Sequence, residues 1–288
     1  MRRLIFSIVV LCSACGVFAQ NADSLAFATA RRSKFKVKNA EAYTISAEIF
    51  SSQQTISVVK FSLDKFSVMP HQTGDVATTS DHGWACKADF AINACFWAVK
   101  KNVPTTYVKA NGVTLSTSHK AGLPRVNGLL MMYNNRLEVV QSTAMPEYDG
   151  LVEDCPNVIA CGPVLIDNGK RVSYTHITTS QEKSLQRKIP FYLRRHPRSA
   201  IGCNDKGEVF LVVVDGRSEG NAAGATIEEL TDICSWLGMT EALNLDGGGS
   251  SALWSKKHGV LNHPCDNRQF DHEGERRVMS ALVVKAKK

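Results

Sequence analysis

The sequence predicts an α+β fold in a single domain, with antiparallel or mixed β-sheets packed around one or two helices. Three observations favour this class. Apolar segments broken by short turn motifs recur along the chain and are typical of β-hairpins. One later segment has the apolar spacing of an amphipathic helix. The 288 residues are 44% hydrophobic, which supplies enough apolar side chains for a large buried core.

Four segments predict strands. "TISVVKFSL", from Thr55, is rich in β-branched residues and predicts a single strand. Residues 129–140, 158–172 and 200–214 each contain two apolar runs around a polar turn, which predicts three hairpins and mostly antiparallel pairing. Asparagine and glycine in such turns tolerate the positive φ that tight hairpins require. The predicted turns are Asn134-Asn135, Asp167-Asn168-Gly169 and Asn204 to Gly207.

A helix is predicted over residues 226–237. Thr226 and Glu229 have the spacing of a capping box, in which each side chain satisfies a free backbone N–H at the helix start. Gly238 stands where glycine commonly ends a helix. A second, short helix is predicted within 23–32. The apolar face of the main helix consists of Ile227, Leu230, Ile233, Cys234 and Leu237.

The N-terminus predicts a signal peptide over residues 1–19. Two arginines precede an apolar run, and small residues stand before a cleavage site near Ala19. Secretion or periplasmic location is therefore expected. A lipid anchor at Cys15 is the minor alternative, because Cys12 stands where a lipoprotein signal has leucine.

The mature chain is predicted to form one compact unit. Residues 20–87 supply a lead-in, polar and weakly patterned up to residue 54, followed by the first strands. Residues 88–288 form the domain that carries the functional motifs.

Charge and composition limit the partners. Cleavage of the signal removes two arginines and no acidic residue, so the net charge falls from +7 to +5. A basic stripe with interleaved aromatic residues is absent from the sequence, so a nucleic-acid partner is not predicted. Anionic sugars or phosphates suit the mild positive charge. Neither a second apolar run of the ~20 residues that cross a bilayer nor a cofactor motif is found.

Seven cysteines remain outside the signal segment. Disulfide bonds are permitted in an exported protein, and an odd number leaves at least one thiol unpaired within the chain. These residues are Cys86, Cys95, Cys155, Cys161, Cys203, Cys234 and Cys265.

Two aspartates follow strands of a predicted βαβ unit. Its order is strand 208–214, helix 226–237 and strand 242–245. If the two strands are parallel neighbours ~4.8 Å apart, Asp215 and Asp246 share the sheet edge where ligands of open α/β sheets bind. The alternative is that both belong to ordinary Asp-Gly turns.

The segment "LDGGGSSAL" predicts a platform of backbone donors. It lacks the lysine of a P-loop, the spacing of a dinucleotide fingerprint and the final glycine of a nucleophile elbow. Three glycines, Gly247, Gly248 and Gly249, let backbone N–H groups face an anion or a sugar without an intervening Cβ. Ser250 adds a hydroxyl group and Asp246 a negative charge.

Two arginines are candidate phosphate ligands. In "HPRSAIG", Pro197 fixes the backbone and Arg198 offers a planar guanidinium group. In "VVVDGRSEG", Arg217 follows Asp215 beside a glycine-rich loop. The alternatives are a surface arginine and an internal ion pair in a solvated loop.

Two further segments carry weaker signals. In "FAINACFW", Asn93 stands beside Phe96 and Trp97, which suits a sugar site, although such aromatic residues are more often core residues. Residues 256–276 contain side chains of types that bind zinc or calcium, but their spacing matches no metal motif, so a solvated loop is favoured. They are His258, His263, Cys265, Asp266, Asp271 and His272.

Taken together, these segments resemble the phosphodiester glycosidase family over roughly residues 88–285. Two positions depart from the family pattern, since Ala94-Cys95 replace two glycines and Cys161 replaces another. Cys95 and Cys161 would then either pair or narrow the pocket. The matching segments are Asn93-Ala94-Cys95-Phe96, Gly162-Pro163-Val164-Leu165, His196 to Gly202, Asp215-Gly216-Arg217-Ser218, Asn244 to Ser250, and Arg276 to Val284.

The resemblance implies a secreted hydrolase that cleaves the bond between the anomeric carbon and the phosphate oxygen of a sugar-1-phosphodiester. Phosphate is a good leaving group, so the site needs one carboxylate at the anomeric carbon and cationic or N–H donors around the phosphate. Asp246 or Asp215 is then the base or nucleophile, and the other orients a hydroxyl group or water. The implied substrate ligands are Arg198, Arg217, Asn93, His196, Asn244, Gly247, Gly248, Gly249 and Ser250.

Two alternative functions remain open at this point. One is a metal-dependent phosphodiesterase that attacks phosphorus. The other is an exported carbohydrate-binding or sugar-phosphate-binding protein without turnover.

Overall fold

The computed structural model describes residues 22–117, 125–142, 150 and 152–288. The helices are α1 (22–29), α2 (Thr79–Ala85), α3 (Thr175–Thr178), α4 (Lys183–Gln186), α5 (Ile189–Leu193) and α6 (Ile227–Trp236). Single 3-10 turns cover Val99–Lys101 and Gly248–Ser250. The predicted signal peptide, with its cleavage site at Ala19 and the alternative anchor at Cys15, lies outside the described residues.

Strands make up most of the regular structure. In chain order they are β1 (Arg32–Phe35), β2 (Ala40–Ile49), β3 (Ser52–Ser62), β4 (Phe66–Ala77), β5 (Phe90–Asn93), β6 (Trp97–Ala98), β7 (Val103–Pro104), β8 (Val108–Ala110), β9 (Val113–Ser116), β10 (Gly128–Met132), β11 (Leu137–Gln141), β12 (Asn157–Cys161), β13 (Val164–Asp167), β14 (Lys170–Arg171), β15 (Arg198–Cys203), β16 (Glu208–Val214), β17 (Glu241–Asn244), β18 (Leu253–Ser255), β19 (Gly259–Val260) and β20 (Val278–Ala286).

The strands form three large sheets and one strand pair. The main sheet has the order β1-β2-β3-β16-β15-β17-β13-β14. Two five-stranded sheets have the orders β11-β10-β12-β8-β9 and β19-β18-β5-β20-β4, and β6 pairs with β7. Within the described residues, neighbouring strands pair antiparallel throughout.

Two apolar cores cover the two faces of the main sheet. Strand β16 shows the alternation, since Leu211 and Val213 enter the core shared with both five-stranded sheets. Val212 and Val214 enter the other core, which contains the apolar side of α6 and Phe27 of α1. Burial on both faces explains why β16 is an unbroken apolar run in the sequence.

The local predictions correspond to real elements. The three hairpins are β10–β11, β13–β14 and β15–β16, and their turns lie where asparagine and glycine predict them. Helix α6 begins after Thr226, and the capping box with Glu229 is formed. The predicted lead-in is more ordered than its polar pattern indicates, because β2 in this segment pairs with β3 along its whole length.

The predicted βαβ unit differs in its pairing. Strands β16 and β17 run parallel, but β15 lies between them and pairs antiparallel with both. The backbones of Asp215 and Asp246 are therefore two strand spacings apart, or roughly 10 Å, rather than the single spacing considered from the sequence.

The cysteines outside the signal segment are free thiols, including Cys95 and Cys161. The disulfide that the sequence left open at these two positions is therefore not formed. Among the described helices, none has the length and apolar character to cross a membrane.

Candidate active site

Asp246 lies where the main sheet meets the sheet that contains β5. Its backbone N–H donates to the Ala94 carbonyl at 2.9 Å, and the Asn93 amide donates to the Asp246 carbonyl at 2.6 Å. The Gly247 N–H donates to the Asp246 carboxylate at 2.9 Å. The β5 segment therefore fixes the Asp246 backbone, and the adjacent Gly247 N–H holds its carboxylate.

The Asn93 side chain is buried and makes three hydrogen bonds. Besides its bond to Asp246, its carbonyl oxygen accepts the Ser199 hydroxyl at 2.7 Å and the Ala252 N–H at 3.1 Å. Asn93 thus links β5, β15 and the segment after the glycines, and it holds Asp246 in place.

The environment of Asp246 raises the pKa of its carboxyl group toward neutrality. Burial raises the pKa of Asp246 to about 6. Hydrogen bonds from Ser250 and from the Gly247 N–H counteract part of this effect, and so do the positive charges of Arg276 and Arg125. A carboxylate with this pKa is mostly ionised at pH 7 and remains a useful proton acceptor.

The Arg217 guanidinium group covers the middle glycine of the platform. Gly248 has φ +65°, and its N–H donates to the Pro197 carbonyl at 2.8 Å. A Cβ at Gly248 would lie 2.9 Å from a terminal nitrogen of Arg217. Arg217 is exposed and also contacts the Cys265 thiol at 3.8 Å.

An ion pair covers the third glycine. Arg276 and Asp266 pair at 2.5 Å, and both are partly exposed. A Cβ at Gly249 would lie 2.6 Å from the Asp266 carboxylate and would also clash with the Arg276 guanidinium group. The absence of side chains at Gly248 and Gly249 therefore lets two guanidinium groups reach the backbone beside Asp246.

Asp215 is buried and holds a second loop. Its carboxylate accepts the His263 ring Nδ1 at 2.9 Å, the His263 backbone N–H at 3.0 Å and the Asn262 amide at 3.0 Å. The His263 ring stacks on Phe270 and on His272, with centroid distances of 3.9 and 4.5 Å. Burial raises the pKa of Asp215, although the donors from His263 and Asn262 counteract the rise.

Arg198 is buried among backbone acceptors. Its guanidinium group donates to the carbonyl oxygens of Ala225, Phe191 and Arg194 at 2.9, 2.6 and 3.1 Å. Burial lowers its pKa to about 10, and the charge of Arg125 adds to this effect. The aliphatic part of the Arg198 side chain also lies 3.8 Å from the position that a Cβ would take at Gly247, so Arg198 borders the first glycine of the platform.

His196 lies in an electropositive region. Its backbone pairs with Ala225, and its ring is half-buried. Burial lowers the pKa of His196, and the charges of Arg198, Arg217 and Arg194 lower it further.

Asn244 is buried at the end of β17. Its amide donates to the Gly162 and Leu245 carbonyl oxygens, both at 2.7 Å. Its own carbonyl oxygen has no hydrogen-bond partner among the described residues.

The structure therefore brings together only part of the predicted set. Asp246, the glycine turn, Ser250 and Arg217 form one region. Arg198 borders this region at Gly247, whereas Asp215 holds a neighbouring loop. Three residues of this region were not among the predicted site residues: Arg125, Asp266 and Arg276.

The sequence points to these three residues to different degrees. Arg276 opens the last segment of the family resemblance, and Asp266 stands out only as a possible metal ligand. Arg125 carries no sequence signal. It is exposed, and its guanidinium group lies 5.0 Å from the centroid of the Phe191 ring.

The remaining candidates lie elsewhere. The described part of the chain contains no group of three or more His, Cys, Asp and Glu side chains that could hold a metal ion. A cavity of about 270 Å³ lies between α3 and the start of α6, and one of about 370 Å³ lies beside β5 and β18. Neither is lined by a predicted site residue.

Comparison with known proteins agrees with the sequence resemblance. The phosphodiester glycosidase family model matches residues 87–285. A search of curated proteins finds no match.

Solved structures share the fold at low sequence identity. The catalytic domain of zebrafish N-acetylglucosamine-1-phosphodiester alpha-N-acetylglucosaminidase, auto-inhibited by its pro-peptide, has a TM-score of 0.68 and 14% identity, with 94% of this chain and 93% of that chain covered. A hypothetical protein from Synechocystis has a TM-score of 0.67 and 17% identity, and the match covers 89% of this chain but only 64% of that one. A Burkholderia pseudomallei protein described as exported has a TM-score of 0.62 and 14% identity, over 82% and 75% of the two chains.

Proposed function

The chain belongs to the phosphodiester glycosidase family, and from this premise we propose that it hydrolyses the bond between the anomeric carbon and the phosphate oxygen of a sugar-1-phosphodiester. Water adds to the anomeric carbon, the C1–O bond breaks, and the electron pair leaves with the phosphate. The products are a reducing sugar and a phosphomonoester.

One observation carries this proposal. The Asp246 carboxylate, whose pKa is about 6, lies beside a glycine turn that is covered by the guanidinium groups of Arg217 and Arg276. This arrangement supplies one base and two cations within a small region. Phosphate departs with little protonation, so a base and a cationic cradle meet the chemical need.

We assign Asp246 as the general base, because a carboxylate with a pKa near neutrality accepts a proton more readily than one with the usual low pKa. Arg217 and Arg276 bind the phosphate oxygens, and the glycine N–H groups with Ser250 hold the sugar or a phosphate oxygen. Asp215 orients the loop that carries His263. A general base that activates water predicts inversion at the anomeric carbon, whereas retention would make Asp246 a nucleophile.

Arg198, Asn93, Asn244 and His196 have supporting roles in this proposal. Arg198 donates to three backbone carbonyl oxygens, and Asn93 bonds to Asp246, Ser199 and Ala252, so both position the backbone around the substrate. Asn244 is buried and its amide holds the Gly162 and Leu245 carbonyl oxygens, so it supports the end of β17 beneath Asp246.

Export is part of the proposal. The N-terminal segment has signal-peptide character, and an enzyme in the secretory pathway or periplasm would meet extracellular or envelope glycosyl phosphodiesters. Mass spectrometry of the N-terminus after expression in a secreting host tests cleavage near Ala19. A lipid-modified Cys15 would instead support the anchored alternative.

A release assay tests the reaction. Wild type is incubated in oxygen-18 water with a panel of glycosyl-1-phosphodiesters, and the label is expected in the sugar. Asp246→Asn is expected to lower kcat by about a thousandfold or more, while Asp64→Asn, an exposed turn residue, leaves kcat unchanged. Label in the phosphate with loss of activity on chelation would support a metal-dependent phosphodiesterase. Binding without turnover that Asp246→Asn leaves intact would support a binding protein.

A further inference from the structure

The charged side chains over Gly248 and Gly249, here called the phosphate cradle, are Arg217, Arg276 and Asp266. The proposed reaction does not need the Asp266 carboxylate. Asp266 pairs with Arg276 at 2.5 Å, and its oxygen lies close above Gly249. It is not required to hold the fold core, because it is exposed and lies on a surface loop. A negative charge at a site for an anion lowers affinity, so its presence there needs an explanation.

The charges around the glycine turn nearly balance. Arg217, Arg276 and Arg125 supply three positive charges, while Asp266 and ionised Asp246 supply two negative charges. Arg217 has no carboxylate partner among the described residues, and its guanidinium group donates to the Cys265 thiol at 3.8 Å. The region therefore carries one more positive than negative charge, which matches a ligand with a single negative charge.

The substrate and product of the proposed reaction differ by one charge. A phosphodiester carries one negative charge. A phosphomonoester carries about 1.5 to 2 near pH 7, because its second pKa is about 6. Like charges at contact distance repel strongly in a partly desolvated site. Asp266 is therefore placed to discriminate between the two phosphate forms.

We propose that Asp266 is a charge-selecting residue of the phosphate subsite, which admits the monoanionic diester and disfavours the dianionic monoester. The inference rests on the proposed function and adds two consequences. Sugar-1-phosphates are poor substrates, and the phosphomonoester product leaves readily once the C1–O bond is broken. Asp266 acts through repulsion, whereas Arg276 and Arg217 provide attraction.

Two probes of similar shape test the proposal at fixed pH. Phenyl phosphate is a dianion at pH 7.5, and its methyl diester is a monoanion. Calorimetric titration measures both without any turnover. Asp266→Asn is expected to lower the Kd for phenyl phosphate about tenfold or more, with a much smaller change in the Kd for the diester. Asp266→Glu keeps the charge and should leave monoester binding weak.

A matched control and a second variant complete the test. Glu273→Gln removes an exposed negative charge from the same loop and should change neither affinity. If Asp266→Asn fails to fold, as judged by thermal unfolding, Asp266→Ser replaces it. Equal tightening of both probes, no tightening, or no binding of phenyl phosphate to the neutral variant would each overturn the inference. Absence of wild-type turnover in the release assay would count against the proposed function alone.

Discussion

The buried carboxylate of Asp215 accepts both the ring Nδ1 and the backbone N–H of His263, at 2.9 and 3.0 Å. These two residues join the end of β16 to the loop that continues to Cys265 and Asp266. A carboxylate in this position sets the path of the loop, because an ionised carboxylate only accepts hydrogen bonds and all its partners here are donors.

Asp215→Asn tests this linkage. The NH2 group of the asparagine would face the N–H donors of Asn262 and His263. This mismatch should lower the free energy of unfolding by about 1–3 kcal/mol. We expect kcat/KM to fall and amide hydrogen exchange to accelerate in residues 262–276. Asp64→Asn serves as the exposed control. Unchanged exchange in this loop would show that Asp215 does not hold it.

The pH profile of kcat/KM reports on Asp246. Its pKa of about 6 means that the carboxyl group becomes protonated below this pH and ceases to act as a base. The diester keeps one charge across this range, so the substrate does not contribute to the profile. We expect kcat/KM to fall about tenfold per pH unit below pH 6. A flat profile down to pH 4, with the fold intact, would contradict the assignment.

Asp246→Asn should also change the stability of the fold. The folded-state pKa is raised to about 6, so ionisation of Asp246 above this pH destabilises the folded state. We expect the asparagine variant to gain up to about 3 kcal/mol in the free energy of unfolding at pH 8. The gain should shrink to less than about 1 kcal/mol at pH 4, where Asp246 is protonated in the folded state and about half ionised in the unfolded state. Urea unfolding at both pH values measures it, and an equal difference at the two would contradict this account.

Arg217 and Arg268 form a matched pair for testing the cradle. Both are exposed arginines in the left-handed region, with φ +62° and +63°. Only Arg217 lies over Gly248. Arg217→Gln should raise KM for the diester about tenfold to a hundredfold, which is the usual range for a hydrogen bond to a charged group. Arg268→Gln should leave KM unchanged, and similar effects of the two substitutions would contradict a local role for Arg217.

The sequence predicts elements whose cause is local. Asn204 to Gly207 specifies a tight turn, and Thr226 with Glu229 specifies a helix start, so β15–β16 and α6 follow from neighbouring residues. The insertion of β15 between β16 and β17 depends on pairing between distant segments. Apolar alternation is equally compatible with either arrangement, so the approximate distance between Asp215 and Asp246 could not be derived.

The candidate site shows the same division. Glycines beside an acid predict the platform at Asp246, because a requirement for bare backbone is visible in the sequence. Arg198 and Arg217 look alike in sequence, yet one is buried among carbonyl oxygens and the other is exposed over a glycine. The role proposed for Asp266 depends on its pairing with Arg276, ten residues away across a loop, which only the folded chain reveals.

Gly249→Ala tests phosphate binding separately from the stability of the fold. A Cβ at this position would meet only the ends of the Arg276 and Asp266 side chains, which lie on a surface loop and can move aside. We expect the free energy of unfolding to change by less than about 1 kcal/mol, whereas KM for the diester rises about tenfold because Arg276 is displaced.

Gly74→Ala is the control for this substitution, since a Cβ there meets nothing within 4 Å and should change neither quantity. Gly247→Ala provides the contrast, because its Cβ would lie 2.8 Å from the Pro197 carbonyl, which is backbone and cannot yield. That variant should lose stability as well as activity. If Gly249→Ala keeps the wild-type KM, the ion pair above this glycine does not bind the phosphate, and Asp246 would act without Arg276.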